Sequence, residues 1–227
     1  MANRSSVILG FLALATVGGA ASSDRLFSAP TGPFVELSLV VEANVNDMDG
    51  EVILHAESGQ PLKRLALVAP SGKLVQALDA TEGLIGLSEL RLETGEPTLQ
   101  EVFNAYPEGT YRVRALTLEG VVCAGEVELT HDLPARWAIR SPVQGAVVPR
   151  DQVTVEWSLD ASVEHYTVEV EDSDDEQRML VTPQPGQSSF LIPSSLLRED
   201  TDYQVVVVAH NAAGNRVIQE VEFRTAP

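Results

Sequence analysis

Strict alternation of apolar and polar residues governs the last third of the chain. In "QVTVEW" (152–157) Val153, Val155 and Trp157 fall on one side, and Gln152, Thr154 and Glu156 on the other. In "HYTVEVE" (165–171) Tyr166, Val168 and Val170 alternate with His165, Thr167, Glu169 and Glu171. "VIQEVEFRT" (217–225) sets Val221 and Phe223 against Glu220, Glu222 and Arg224. Successive side chains of a strand point to opposite faces, so each pattern describes a strand with one face in a core and the other in water. Short strands at this spacing, separated by Gly, Pro, Asn and Asp, predict an antiparallel sandwich.

The stretch "LREDTDYQVVVVAHNAAGN" (197–215) places one tyrosine at the head of four valines. In a sandwich, a tyrosine starting the sixth strand lays its ring on the core and turns its hydroxyl back to the backbone a few residues upstream. With Tyr203 in that role, Val205, Val207 and Ala209 point inward. Val206 and Val208 then point outward, flanked by Thr167 and Glu169. An outward apolar pair on a central strand suits a contact surface against the first domain, a second copy or a partner; strand propensity alone also favours valine there.

Leu197, Thr201 and Tyr203, followed by Val205, Val207, Ala209, Asn211 and Gly214, resemble the corner and F–G turn of a fibronectin type III domain. "SPVQGAVVP" resembles that family's first-strand opening, Trp157 its B-strand tryptophan, Tyr166 its C-strand tyrosine and "VEFRT" its closing strand. The resemblance covers residues 137–227 and implies structural roles for Trp157, Tyr166, Leu197, Tyr203 and Gly214. Two departures stand out. Acids in "LREDTDY" replace the usual proline near the corner, and the F–G loop "HNAAGNR" has no Arg-Gly-Asp, so an integrin-type adhesion role gains nothing from it.

The upstream half is also rich in strands. "VELSLVVEA" (35–43) alternates Val35, Leu37, Leu39 and Val41; "EVILHAE" follows an Asp-Met-Asp-Gly turn; "LKRLALVAPSGKLVQAL" reads as a hairpin with its tip at Pro70-Ser71-Gly72. In "TLQEVFNAY" Thr98 and Glu101 fit a capping box, while Leu99, Val102, Phe103 and Tyr106 recur at helical spacing. One short amphipathic helix should seal an end or side of this domain. "PEGTYRVRALTLEGVVCAGEVELTH" then repeats the C-terminal plan, with Thr110 and Tyr111 paralleling Thr201 and Tyr203. The expected fold is therefore all-β: two tandem immunoglobulin-like or fibronectin type III-like sandwiches, the first with one short helix. "NDMDGE", "APSGK", "FNAYPEGTY" and "LTHDLP" resemble the N-terminal half of a family of secreted bacterial two-domain proteins, a likeness that brings no activity with it.

The domain plan is a signal peptide at 1–21, an N-terminal segment at 22–33, an atypical sandwich at 34–130, a junction at 131–142 and the fibronectin type III-like domain at 137–227. In the first segment Arg4 precedes an apolar run from Val7 to Val17 and small residues ending near Ala21. That run is too short to span about 30 Å of hydrocarbon, which takes about 20 helical residues, and suits a secretory signal. The expected location is outside the cytoplasm, periplasmic or secreted, without membrane insertion after cleavage. In the junction, "HDLPARWAIRSP", Trp137 packs at the interdomain seam or, on a sharper reading, faces solvent and stacks on sugars.

Acids number 33 against 15 bases, a formal net charge of −18. Nucleic-acid affinity comes from cations displacing counterions, so nucleic-acid and anionic-membrane partners are disfavoured. Solubility is the plain explanation, and recruitment of a cationic partner the specific one. Cys123 is the single cysteine and sits in an apolar run, which suits a small buried thiol. There is no His-Glu-x-x-His, Gly-x-Ser-x-Gly or Cys-x-x-Cys. "PSGKL" lacks the upstream glycine and the hydroxyl of a phosphate loop. The acidic run "EVEDSDDEQ" (169–177) and "NVNDMDGE" (44–51) match no calcium-loop spacing. No catalytic residue, metal ligand or cofactor is expected. Together these features predict a non-catalytic exported binding or spacer protein with a protein or polysaccharide partner, the alternative being an accessory carbohydrate-binding module working beside a hydrolase. The binding candidates are Val206, Val208 and Trp137.

Overall fold

The computed structural model describes residues 31–80, 87–172 and 177–227. The signal-like segment lies outside these residues, as do residues 173–176 of the acidic run. The fold is all-β with one short helix. The first half contains β1 (Thr31–Gly32), β2 (Glu36–Asn44), β3 (Asp49–Val68), β4 (Leu74–Asp79), β5 (Leu87–Glu93), α1 (Leu99–Ala105), β6 (Gly109–Thr117) and β7 (Val122–Leu129). Where two strands were expected, in "EVILHAE" and "LKRLALV", one 20-residue strand runs through. The first part of β3 pairs with β2 and β5, and its last part with β6 and β4. The ladders shift register between Glu57 and Leu62, so Ser58-Gly59-Gln60-Pro61 is the bend where the strand passes from one layer to the other. Leu54 and Ala56 before it, and Leu62, Leu65 and Leu67 after it, are all buried in one core.

The helix forms as its sequence dictates. Thr98 Oγ1 accepts the Glu101 amide while the Glu101 carboxylate accepts the Thr98 amide, satisfying two donors that a helix start leaves orphaned. Val102 is fully buried, and Leu99, Phe103 and Tyr106 pack half-buried against the core. Val35 departs from the expected inward alternation: it precedes β2 and is 64 % exposed.

The second half contains β8 (Ile139–Ser141), β9 (Ala146–Val148), β10 (Thr154–Trp157), β11 (Val163–Asp172), β12 (Gln177–Val181), β13 (Ser189–Leu191), a 3₁₀ turn (Ser194–Leu196), β14 (Asp202–Asn211) and β15 (Arg216–Thr225). One layer runs β13-β10-β8, and the other β12-β11-β14-β15, with β9 crossing to pair in parallel with the end of β15. This is the A-B-E and C′-C-F-G order of a fibronectin type III sandwich. Trp157, Tyr166, Val168, Val170, Tyr203, Val205, Val207, Ala209 and Phe223 all lie in the core between the layers.

Both halves turn their corner with a tyrosine. The Tyr203 hydroxyl accepts the Arg198 amide at 2.7 Å, and the Tyr111 hydroxyl donates to the Pro107 carbonyl at 3.0 Å. Burial pushes the Tyr111 phenol up to about 12, so it stays a donor throughout the accessible pH range.

The two halves share a sheet. β2 pairs in parallel with β15, Arg216 opposite Glu42, Val217 opposite Ala43 and Ile218 opposite Asn44. Asn215, 1 % exposed, closes the start of this seam. Its Oδ1 accepts the Val41 amide at 2.8 Å, and its Nδ2 donates to the carbonyls of Thr130 and Asp132 at 2.9 and 3.0 Å. Leu99 and Leu133 pack against both cores. Farther along β15, Asn46 mimics a strand: its side-chain amide exchanges hydrogen bonds with the backbone N–H and C=O of Glu220, both at 2.9 Å. Gln144 and Gly145 engage the backbone of Glu222 in the same manner, and β9 takes the rest. Strand β15 thus has no bare edge, which removes a site for edge-to-edge association.

Candidate interaction surface

The outer side of β11, β14 and β15 is a grid fixed by strand register. One row reads Thr167, Val208, Ile218, and continues to Asn44 on β2. The next reads Leu180, Glu169, Val206, Glu220, and the one beyond it Glu171, Gln204, Glu222. Val206, Val208 and Ile218 are half-buried, and Leu180 is 59 % exposed. Val206 and Val208 therefore sit outward, beside Thr167 and Glu169, as the parity of Tyr203 requires. Ile218 joins them only through pairing, because "VIQEVEF" by itself does not say which residues lie opposite Val208.

A carboxylate column stands on either side of this apolar stripe: Glu169 and Glu171 on β11, Glu220 and Glu222 on β15. Partial burial, with Asp47 and Glu171 nearby, holds the Glu220 carboxyl above the ordinary carboxylate range. Burial and Glu171 do the same to Glu169. Gln204 Nε2 and Asn44 Nδ2 donate to Glu220, which fixes its direction without cancelling its charge.

The fourth row crosses between the halves: His165, His210, Arg216, Glu42, Glu51. The two imidazoles stack with centroids 4.4 Å apart and planes 7° from parallel. Burial, His165 and Arg216 depress the His210 pKa to about 4, so His210 is neutral at pH 7. Arg216 pairs with Glu42 across the seam. Glu51, only 9 % exposed, has its pKa raised to about 7 by burial and by Glu93 and Glu42, with Arg91 opposing.

Trp137 does not reach this surface. It is 5 % exposed, its ring meeting that of Tyr166 edge-on at 5.7 Å and 71° inside the second core. The solvent-facing reading does not hold for it: it is buried in a core that Ala43 of β2, Leu99 of α1 and Leu133 of the junction also border. Gly214 adopts φ +84°, and a Cβ there would come within 3.1 Å of Val40 Cγ1, so it serves the seam as well as the turn. Leu197 is buried with Tyr203 in the second core.

Among the described residues every aromatic ring is at least half-buried, and no group of three or more His, Cys, Asp and Glu side chains is arranged to hold a metal. His55 lies between Glu36 and Glu89. His131 stacks on Phe103 at 4.0 Å and bonds the Tyr106 carbonyl, tying the junction to the helix. Cys123 is buried 3.8 Å from Ser58 Oγ. A cavity of about 130 Å³ opens between the first sandwich's layers, lined chiefly by Leu39, Leu54, Leu67 and Leu92 with Tyr106 at its rim. A cleft of about 400 Å³ lies between residues 159–166 and 183–186. Neither gathers a nucleophile with a base. No described helix is long and apolar enough to cross a membrane.

No protein-family profile matches the chain, and no curated protein sequence matches it. Solved structures are similar at low identity. The chicken CNTN1 FN1-FN3 domains match over 86 % of this chain and 65 % of theirs, with 16 % identity and a TM-score of 0.34. The fibronectin(III)-like modules of Clostridium thermocellum CbhA match over 85 % and 93 %, with 9 % identity and a TM-score of 0.35. A two-domain fibronectin type III segment of chicken tenascin matches over 86 % and 100 %, with 14 % identity and a TM-score of 0.33. By its own strand order and its tyrosine corner, the second sandwich has a fibronectin type III-like fold.

Proposed function

We propose that this chain is an exported, non-catalytic binding or spacer protein that works through protein–protein contacts in the cell envelope or outside the cell. The observation that carries the reading is the outward stripe of Val206, Val208 and Ile218 on a sheet that continues from one sandwich into the other. A shared sheet with a buried hydrogen-bonded node resists hinge motion, in contrast to the loose contacts typical between domains of one chain. Such a unit holds a contact face at a fixed distance and orientation. Export rests on the charge and hydropathy order of residues 1–21.

Sugar stacking has no support among the described residues, whose aromatic rings are all at least half-buried. The test is recovery of binding partners from a cell-envelope extract by the wild type and by Val206→Asp with Val208→Asp, beside a glycan array. Burying unpaired carboxylates in an interface costs several kcal/mol, so the double variant should stay folded and lose a protein partner that the wild type retains. Equal recovery by both, or a glycan signal without a protein partner, would refute the reading.

A further inference from the structure

Apart from the outer face, we infer that the first sandwich holds a binding site for a small, uncharged, single-ring molecule with one hydrogen-bond acceptor, its ring between the layers and its acceptor at the Tyr106 phenol. The site follows from the path of β3. Before the bend, register sets Leu39, Leu54 and Leu92 in one row across β2, β3 and β5, and this row is one wall. After the bend Leu67, with Val75 on β4, makes the other. Among the described residues β4 and β5 pair only with β3. They are edges of opposite layers, and no described strand joins the layers on that side. Protein interiors hold few voids larger than a water molecule, yet about 130 Å³ lies between these walls. Leu39, Leu54 and Leu67 are buried and Leu92 is half-buried, so the lining is apolar. An engineered cavity of about 150 Å³ with such a lining takes up benzene, so this gap matches one ring.

Small-molecule sites add to an apolar lining a few polar groups that fix orientation, and Tyr106 supplies one. It ends α1 with its amide donating to the Val102 carbonyl at 2.8 Å, and its own carbonyl accepts from His131 at 2.8 Å, so its backbone is anchored on both sides. The phenol is different. Half-buried at the rim, it makes no hydrogen bond among the described residues. Burial raises its pKa, which keeps it a donor. Tyrosine hydroxyls taken out of water ordinarily find a partner, and an acceptor on the ligand would be that partner. Glu93 and Thr94 stand at the mouth, and the Thr94 hydroxyl already accepts the Val52 amide. An anionic ligand would meet the Glu93 carboxylate. A cationic one gains little there, because Arg91 already pairs with Glu93.

The probe is benzonitrile, a ring with one acceptor whose stretching frequency rises when it accepts a hydrogen bond. Titrated into the full-length protein, it should shift amide NMR signals around Leu39, Leu54, Leu67 and Leu92. Its bound nitrile band in the wild type should lie above that in Tyr106→Phe. Toluene, the same ring without the acceptor, should bind about fivefold more weakly, the worth of one net hydrogen bond, and benzoate should not bind. Tyr106→Phe should weaken benzonitrile by the same factor and leave toluene unchanged. Val75→Phe, which fills the gap from an edge strand, should abolish binding of both; if that variant fails to fold, the wild-type shift map and Tyr106→Phe decide. Absence of shifts centred on the four leucines, binding retained by a folded Val75→Phe, or unchanged affinity and an unmoved nitrile band in Tyr106→Phe would overturn the inference.

Discussion

Replacing Asn215 by alanine should uncouple the two sandwiches. Asn215 is 1 % exposed, and its side chain satisfies groups that belong to the first half and the junction. Val41 is fully buried. Without Oδ1 its N–H would keep no acceptor, a penalty of about 1–3 kcal/mol. The carbonyls of Thr130 and Asp132 are nearer solvent and can turn to water, so their loss adds about 1 kcal/mol. The expected destabilisation is therefore about 2–4 kcal/mol, concentrated at the seam. Trp137 and Trp157 both lie in the second core, so tryptophan fluorescence reports that half while far-UV circular dichroism reports both. Urea unfolding of the wild type should give one transition by both probes. In Asn215→Ala the two should separate, with the midpoint lowered. Asn215→Asp keeps the acceptor for Val41 but sets a carboxylate against two carbonyls, and should be no better. Coincident transitions and a loss below about 1 kcal/mol would refute the seam's role.

Tyr203→Phe strips the Arg198 amide of its acceptor, and Tyr111→Phe frees the Pro107 carbonyl; each should cost about 1 kcal/mol in urea unfolding. Trp157→Ala should cost about 3–5 kcal/mol through the cavity it leaves, measured the same way. The Glu51 carboxyl is raised to about 7 in the folded state, so its contribution is fully present below about 4.5 and is lost as pH rises through 7. Glu51→Gln should therefore raise stability at pH 8 relative to wild type and flatten its decline between pH 5 and 8; parallel pH profiles would contradict this. Gly125 faces Leu37, whose Cδ2 would stand 2.5 Å from an added Cβ, so Gly125→Ala should lower the melting temperature by crowding the β7 face.

The second sandwich was legible because alternation, the Tyr203 corner and the Asn-Ala-Ala-Gly turn are local signals that agree with one another. The capping box of α1 was legible for the same reason. Pairing was not. Ser58-Gly59-Gln60-Pro61 carries the composition of a turn, yet its ends stay in register with strands of two layers and β3 bends through it. Asn215 reads as one more loop residue in "NAAGNR"; its importance depends on β2, which lies 174 positions away from it at Val41. Packing of Trp137 was one of the two readings its place in the junction allowed; that its ring meets Tyr166 on β11 depends on contacts between strands. Of the candidate surface, parity disclosed Val206 and Val208, but the flanking acids on β15 and the position of Ile218 required the register between strands.

Hydrogen exchange at the amides of Val41 and Val45 tests the continuous sheet most directly. Both point away from β3: Val41 donates to Asn215 Oδ1, and Val45 to the Ile218 carbonyl at 3.1 Å. If β2 and β15 form one rigid sheet, the Val41 amide should exchange as slowly as core amides such as Val205, and the Val45 amide, nearer the turn, at least a hundredfold more slowly than an exposed loop amide. Exchange of both at loop rates, while Val205 stays protected, would mean that the sandwiches move independently and would contradict the account.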